Sequence, residues 1–495
     1  MKKDFLKPAL IFALAAILAG LLAWVIPAYQ NDLFPIRKMT WFSALAEPAA
    51  EDSIPSLPEP KHYQQQALMP FLEKLSSMPT LAGQMGIISS TPDSGRVVPS
   101  GQHLRIAYFS DSIIEGDLIT APIRYALQQN YGGHGVGMVP ITSIVSGFRQ
   151  TIRHSFSRNW ESISFTDTHK NHISLGITGY TFIPRPYYTE AKTIDAGAAD
   201  SLFLADSLFF EAEQDTLVDD DDDGLIRYYV DEDPWVEYRT VDIAGGSDSF
   251  RRIRLFYSHA SDSSFVRIFH DSNEPTQRRL IASHHLQILD ISPASPTKKL
   301  RLEFPKDDPI HVYGVSFDDK KGAYVDNFPS RGYSGLYFQR IHSGLLKDFI
   351  TALNYDLIIL QYGGNITHPD NTDYSGYRSA LIRTIRHIQS SAIDVPILIA
   401  GMHDRAVRIG TQFQSSPDLP LLISAQSEAA EETDAAFWNV YAAMGGRNSM
   451  LDFVNQNPPL AGRDYTHFTR RGADRIAELF LDFLAFESTA PQKEH

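Results

Sequence analysis

Residues 104–130 read LRIAYFSDSIIEGDLITAPIRYALQQN, and this stretch decides the fold. The run LRIAYF is short, almost continuously apolar and followed by polar residues, which is the pattern of a strand buried on both faces. Residues 117–130 then show the apolar spacing of an amphipathic helix. Strand, polar loop and helix together open a βαβ unit. Further along, the strand-like runs 355–360 (YDLIIL) and 395–400 (VPILIA) alternate with helical spacing over 336–353, 374–388, 429–444 and 469–486. Such alternation predicts an α/β domain with crossover connections and a mostly parallel sheet covered on both faces.

Residues 151–310 change character. Short alternating runs at 235–241, 252–257, 265–269, 286–289 and 299–304 are separated by Asp, Ser, Pro and Gly turns, which predicts an inserted antiparallel β-sandwich. Helical patterning resumes only afterwards, so the α/β domain is built from two pieces, 101–150 and 311–488, with a tail at 489–495. The insertion is acidic and carries Trp235 and several tyrosines, so we expect it to bind glycan through aromatic stacking. Within it, Asp219 to Asp223 followed by Gly224 has the opening spacing of a calcium loop, with Ile226 at the usual apolar position. Val230 occupies the place of the bidentate acid, so a solvated acidic loop is the favoured reading and no metal is assigned.

At 495 residues the chain exceeds the size of one hydrophobic core, which fits two folded units plus connecting segments. Its 43% apolar and 21% charged residues are ordinary globular usage. A formal net charge of -15 repels a phosphate backbone, and no basic stripe compensates, so nucleic acid is excluded as a partner. The absence of cysteine excludes disulfides, thiolate catalysis and Cys-ligated zinc. At the start, Lys2, Lys3 and Lys7 precede an apolar run from 9 to 29, about long enough to cross a hydrocarbon core of roughly 30 Å. The small-residue site Ala44-Leu45-Ala46 lies far beyond that run, so an uncleaved anchor is preferred over a signal peptide. This predicts a cytoplasmic start at 1–8, a single span at 9–29, and everything later outside an inner membrane. Residues 30–100 read as a spacer and lead-in, rich in proline and acid over 47–62, with helical spacing at 63–77.

The chemistry gathers at four places. Ser112 follows the first strand and precedes a helix, where ligands of parallel α/β folds bind; a serine there also reads as an ordinary N-cap. Near the C-terminus, Asp464-Tyr465-Thr466-His467 sets an acid three residues ahead of a histidine. A serine hydroxyl needs an imidazole to take its proton, and the imidazole needs a carboxylate to hold its tautomer. After the strand at 355, Gln361-Tyr362-Gly363-Gly364-Asn365 offers an amide donor for a developing oxyanion. Arg331-Gly332-Tyr333-Ser334-Gly335 offers a backbone N–H at Gly332, with Gly335 as a close competitor.

In this order the four elements resemble the sequence blocks of the SGNH (GDSL-like) hydrolase superfamily. Ser112 matches the serine of its Gly-Asp-Ser block, Gly332 the block-two glycine, Asn365 the asparagine of Gly-x-Asn, and Asp464 with His467 the terminal Asp-x-x-His. The resemblance implies a flavodoxin-like three-layer α/β fold, a catalytic triad of Ser112, Asp464 and His467, and an oxyanion hole of the Ser112 N–H, the Gly332 N–H and the Asn365 amide. It implies no cofactor. Two positions depart from the pattern: Ser110 stands where the family carries glycine, and Ile366 where many members carry Asp. The anchor, the segment Gly132-Gly133-His134-Gly135-Val136-Gly137, the β-rich insertion and Pro458-Pro459-Leu460-Ala461 further resemble bacterial peptidoglycan O-acetylesterases and O-acetyltransferase partners. The activity this implies is removal of O-acetyl groups from a cell-envelope glycan, with the protein standing in the periplasm on its anchor. The alternatives are an O-acetyltransferase fed by a membrane-bound acyltransferase, and a non-catalytic glycan-binding membrane protein.

Overall fold

A computed structural model of the chain describes residues 65–80, 103–191, 218–220, 225–271 and 274–489. The expected start at 1–8 and span at 9–29 lie outside the described residues, as do 221–224 of the acidic loop and all of the expected tail at 489–495 except its first residue, which ends the last helix. Among the described residues no helix is long and apolar enough to cross a membrane.

Five parallel strands form the central sheet: β1 (His103–Ser110), β2 (Gly322–Pro329), β3 (Leu357–Gln361), β4 (Ile397–Ala400) and β5 (Ala436–Trp438). Their spatial order is β2-β1-β3-β4-β5, all pairs parallel, which is the flavodoxin-like winding. Alternate side chains of each strand enter two separate cores. Leu104, Ile106 and Tyr108 of β1, Leu357 and Ile359 of β3, and Leu398 of β4 face one side. There they meet α1 (Gln65–Ser77), α2 (Thr120–Tyr131), α6 (Val440–Met444), α7 (Ser449–Asn455) and α8 (Arg470–Thr489). Phe109, Ile358, Leu360, Ile397 and Ile399 face the other, against α3 (Ser343–Leu353), α4 (Ser375–Ser391) and α5 (Leu419–Glu432). Strands this short are apolar on both faces because both faces are covered.

Three expectations need correction. The helix expected over 429–444 is interrupted: α5 ends at Glu432, Asp434 takes a left-handed φ of 52°, and β5 follows before α6. Its alanines favour helix, but three residues paired to β4 at the sheet edge outweigh that preference. α1, in the segment read as spacer, is packed on the domain through buried Leu68, Phe71 and Leu72. Finally, the antiparallel strands of the inserted region do not stop at 151 and 310. One sheet runs Gln287–Asp290, Arg252–Ser258, His311–Asp318, Tyr180–Pro184, Trp160–Ser164, with Gly137–Val139 also paired to His311–Asp318. A second runs Thr276–Arg279, Phe265–His270, Lys299–Glu303, Trp235–Thr240, Ile152–Phe156. Ile253, Val312 and Phe317 of the first and Val236, Ile268 and Leu302 of the second belong to one buried cluster. Asp219 and Asp220 lie in a short strand, Val218–Asp220, paired antiparallel to Leu225–Tyr229.

Candidate active site

The chain runs from β1 to β2 on one side and then to β3 on the other, so the sheet reverses direction of winding beside β1. In such folds the crevice at the carboxyl ends of these strands is the ligand site. Ser112 stands there, opening a short 3-10 turn (Ser112–Asp117) directly after β1. Asp111 caps the turn, its Oδ1 accepting the Ile113 N–H at 3.2 Å. Gly116 lets the loop close, at a φ of +66° where a Cβ would come 2.9 Å from the Phe148 carbonyl oxygen. Ser110, in place of the family's glycine, is fully buried and donates its hydroxyl to the Gln361 carbonyl at the end of β3.

From the other end of the chain, the turn before α8 brings in the acid and the imidazole. Ser112 Oγ lies 2.8 Å from His467 Nε2. His467 Nδ1 lies 2.7 Å from Asp464 Oδ2. Asp464 Oδ1 accepts the backbone N–H groups of Thr466 and His467, each at 3.1 Å. Partial burial pulls the Asp464 carboxyl upward, but the His467 side chain and these two N–H groups outweigh it and hold it below the ordinary range. The pair is open: 47% of the His467 side chain and 51% of that of Asp464 remain exposed.

The two remaining arms meet each other. Asn365 follows β3, and its Nδ2 donates to Asp111 Oδ2 at 3.1 Å and to the Tyr333 carbonyl at 2.9 Å. Both of its N–H bonds are therefore engaged within the protein, and for the amide to serve as the expected oxyanion donor one would have to be released, the Tyr333 carbonyl being the neutral partner. Gly332 and Gly335 separate clearly. Gly332 is exposed, with φ +78° and open space around it. Gly335 is buried, and a Cβ there would come within 2.4 Å of the Tyr362 ring, which gives it a packing role. Arg331, next to Gly332, reaches across to Glu115 of the serine's loop with Nε to Oε1 at 2.8 Å and a second contact from Nη2 to Oε2.

Sequence reasoning missed the residues that hold these arms together. After β4, buried His403 bonds the Thr466 carbonyl at 3.0 Å, and Arg405 donates to the Gly364 carbonyl at 2.9 Å and to Thr367. Gln426 of α5 joins the ends of β3 and β4, donating to the Tyr362 carbonyl at 2.7 Å and accepting the Met402 N–H at 2.8 Å. The one sequence signal was a polar cluster, His403-Asp404-Arg405, two residues behind a buried strand. In the inserted region, Trp235 has the Arg301 guanidinium 4.2 Å above its ring, so one face of the expected stacking surface is covered. Among the described residues there is no cluster of acids and histidines suited to a metal ion.

The parallel α/β sheet with Ser112, His467 and Asp464 in one hydrogen-bonded series at its strand ends resembles the SGNH arrangement expected from the sequence blocks. No family model matches it, and no curated protein matches it. Among solved structures it is similar to a peptidoglycan O-acetylesterase, at 20% identity over 85% of this chain and 96% of that one, with a TM-score of 0.57. It also aligns with a family two carbohydrate esterase from Cellvibrio japonicus, at 10% identity over 52% of this chain and 89% of that one, TM-score 0.24. A lipase/acylhydrolase from Enterococcus faecalis aligns at 14% identity over 35% of this chain and 81% of that one, TM-score 0.25. The first likeness shows a shared fold.

Proposed function

We propose that the chain is a serine-dependent carboxylic-ester hydrolase that removes O-acetyl groups from a cell-envelope glycan. The observation that carries this is the continuous hydrogen-bonded series from Ser112 through His467 to Asp464, lying open at the strand ends. His467 Nε2 takes the hydroxyl proton as Ser112 Oγ attacks the ester carbonyl carbon. The oxyanion is held by the Ser112 and Gly332 N–H groups and by the Asn365 amide. Collapse breaks the bond to the sugar oxygen, which leaves with the proton from His467, and acetyl-Ser112 remains. Water then gives a proton to His467 as it attacks the acetyl carbon, the same hole holds the second oxyanion, and its collapse breaks the bond to Ser112 Oγ, which takes the proton back from His467 as acetate leaves. The exposure of the pair supports hydrolysis, since water reaches the acyl-serine freely. The likeness to a peptidoglycan O-acetylesterase supports an acetylated glycan as substrate. The lysine-flanked apolar run at 9–29 supports an anchored, extracytoplasmic enzyme.

The test uses the purified full-length protein with a fluorophosphonate probe and with O-acetylated peptidoglycan, adding an oligosaccharide acceptor in a parallel reaction. We expect covalent labelling and release of free acetate by the wild type, and neither by Ser112→Ala. A variant that keeps more than about a thousandth of wild-type turnover would remove Ser112 from the chemistry. Acetylated acceptor in place of free acetate would turn the assignment to an O-acetyltransferase.

A further inference from the structure

Every backbone carbonyl in the turn that carries the acid and the imidazole is tied down. The Asp464 carbonyl accepts from the Thr466 hydroxyl at 3.2 Å, that of Tyr465 from the Ala406 N–H at 3.1 Å, and that of His467 from the Gly462 N–H at 2.8 Å. The fourth, on Thr466, is held by a side chain brought from 63 residues away, His403 Nε2 at 3.0 Å. We infer that His403 is a positioning residue: its imidazole, donating from Nε2 to the Thr466 carbonyl, fixes the turn that aims His467 at Ser112.

The geometry leaves the ring little choice. His403 is 1% exposed, follows β4, which is paired on both sides in the sheet, and packs against Phe468 with ring centroids 5.0 Å apart. A carbonyl oxygen accepts only, so the ring proton sits on Nε2, and Nδ1 has no hydrogen-bond partner among the described residues. A neutral ring is what this arrangement needs. Burial pushes its pKa down to about 4, with the bond to Thr466 and the Asp464 charge opposing the shift and His467 and Arg405 adding to it. His403 therefore stays uncharged while its neighbour His467 gains and loses a proton during each acyl transfer. Thr466 sits between the two residues whose bond orients the imidazole, so a displaced Thr466 carbonyl swings the Nδ1–Asp464 bond and, with it, Nε2 relative to Ser112.

The inference rests on the esterase reading for its kinetic arm, and it has a second arm that does not. The test compares His403→Gln, whose amide can still donate to the carbonyl, with His403→Met, nearly the same shape without a donor. In the full-length protein we expect the Met variant to lose about tenfold to a hundredfold in kcat with KM within twofold of wild type, a loss typical of misplaced reacting groups. The Gln variant should recover to within about threefold, and the two should melt at similar temperatures. Equal losses in both variants, an unaffected Met variant, a loss confined to KM, or unfolding of the Met variant alone would each overturn the positioning role. The second arm is the downfield proton resonance of the His467 Nδ1–H bonded to Asp464. It should be present in wild type and the Gln variant, and shifted or lost in the Met variant. A wild type that neither hydrolyses acetyl esters nor takes the fluorophosphonate probe refutes the esterase reading, and the resonance then decides the role of His403 by itself. An unchanged resonance in the Met variant overturns it.

Discussion

At Asp111 one carboxylate is asked to do two things. It is 3% exposed, and burial pushes its pKa up to about 6, with Glu115 adding to the rise and the Ile113 and Gly364 N–H groups and His467 opposing it. Ionised, it can only accept, and so it holds the Asn365 amide with nitrogen toward it. That orientation is needed if the amide is to donate to an oxyanion. The folded pKa lies above the unfolded one, so the folded state binds the extra proton between about pH 4 and 6. Stability is therefore full below the unfolded value and falls as the pH rises through the folded one. A shift of about two units corresponds to about 3 kcal/mol. Asp111→Asn should thus gain up to about 3 kcal/mol on wild type between pH 4 and pH 8, while losing turnover because its amide no longer fixes the Asn365 nitrogen. Urea unfolding at the two pH values checks this, and parallel curves for the two proteins would refute it.

Among elements, the serine's loop and the loop after β2 are joined by Glu115, three residues from Ser112, and Arg331, one residue from Gly332. The pair sets the spacing between two donors of the proposed hole. Arg331→Ala and Glu115→Ala should each lower kcat about tenfold, and the double variant should be no worse than either, because residues acting as one unit are not additive. Multiplying effects in the double variant would show that the two act separately. The strands β1, β3 and β4 were legible because each is an apolar run, interrupted only by Arg105 in β1. β2 (GAYVDNFP) was not, since buried Asp326 and Asn327 break its hydrophobic pattern. Asp326 is tolerated there because it is hydrogen-bonded, with Arg105 and Tyr355 reaching it from β1 and from the approach to β3, at 2.7 and 2.5 Å. The same reasoning explains the site. Asp464 and His467 are three residues apart and could be read locally, whereas Arg331 meets Glu115 across 216 residues and His403 meets Thr466 across 63, contacts that only the folded chain creates.

For the whole molecule, the buried charges join the α/β sheet to the inserted strands. Arg105 of β1 bonds Asp326 of β2 at 2.7 Å and Asp318 at 2.7 Å, and Asp318, on the strand His311–Asp318, also bonds Arg254 of the strand Arg252–Ser258 at 2.7 Å. Arg254 in turn donates to the Ala352 carbonyl of α3 at 2.9 Å, and Asp326 accepts the Met138 N–H at 2.9 Å. Testing the expected glycan binding on 151–310 as a separate piece meets a physical obstacle here. That piece lacks Gly137–Val139 and His311–Asp318, so the strand Arg252–Ser258 loses its main neighbour and Arg254 loses its carboxylate. Removing one partner of a buried ion pair leaves an uncompensated charge and costs about 3–5 kcal/mol. Asp318→Asn in the full chain should therefore destabilise by about that amount, and it should move one calorimetric transition as a whole, since the network spans both parts. Two transitions, of which Asp318→Asn lowers only one, would mean that the inserted strands fold as an independent unit, and expressing 151–310 alone would then become the right way to look for glycan binding.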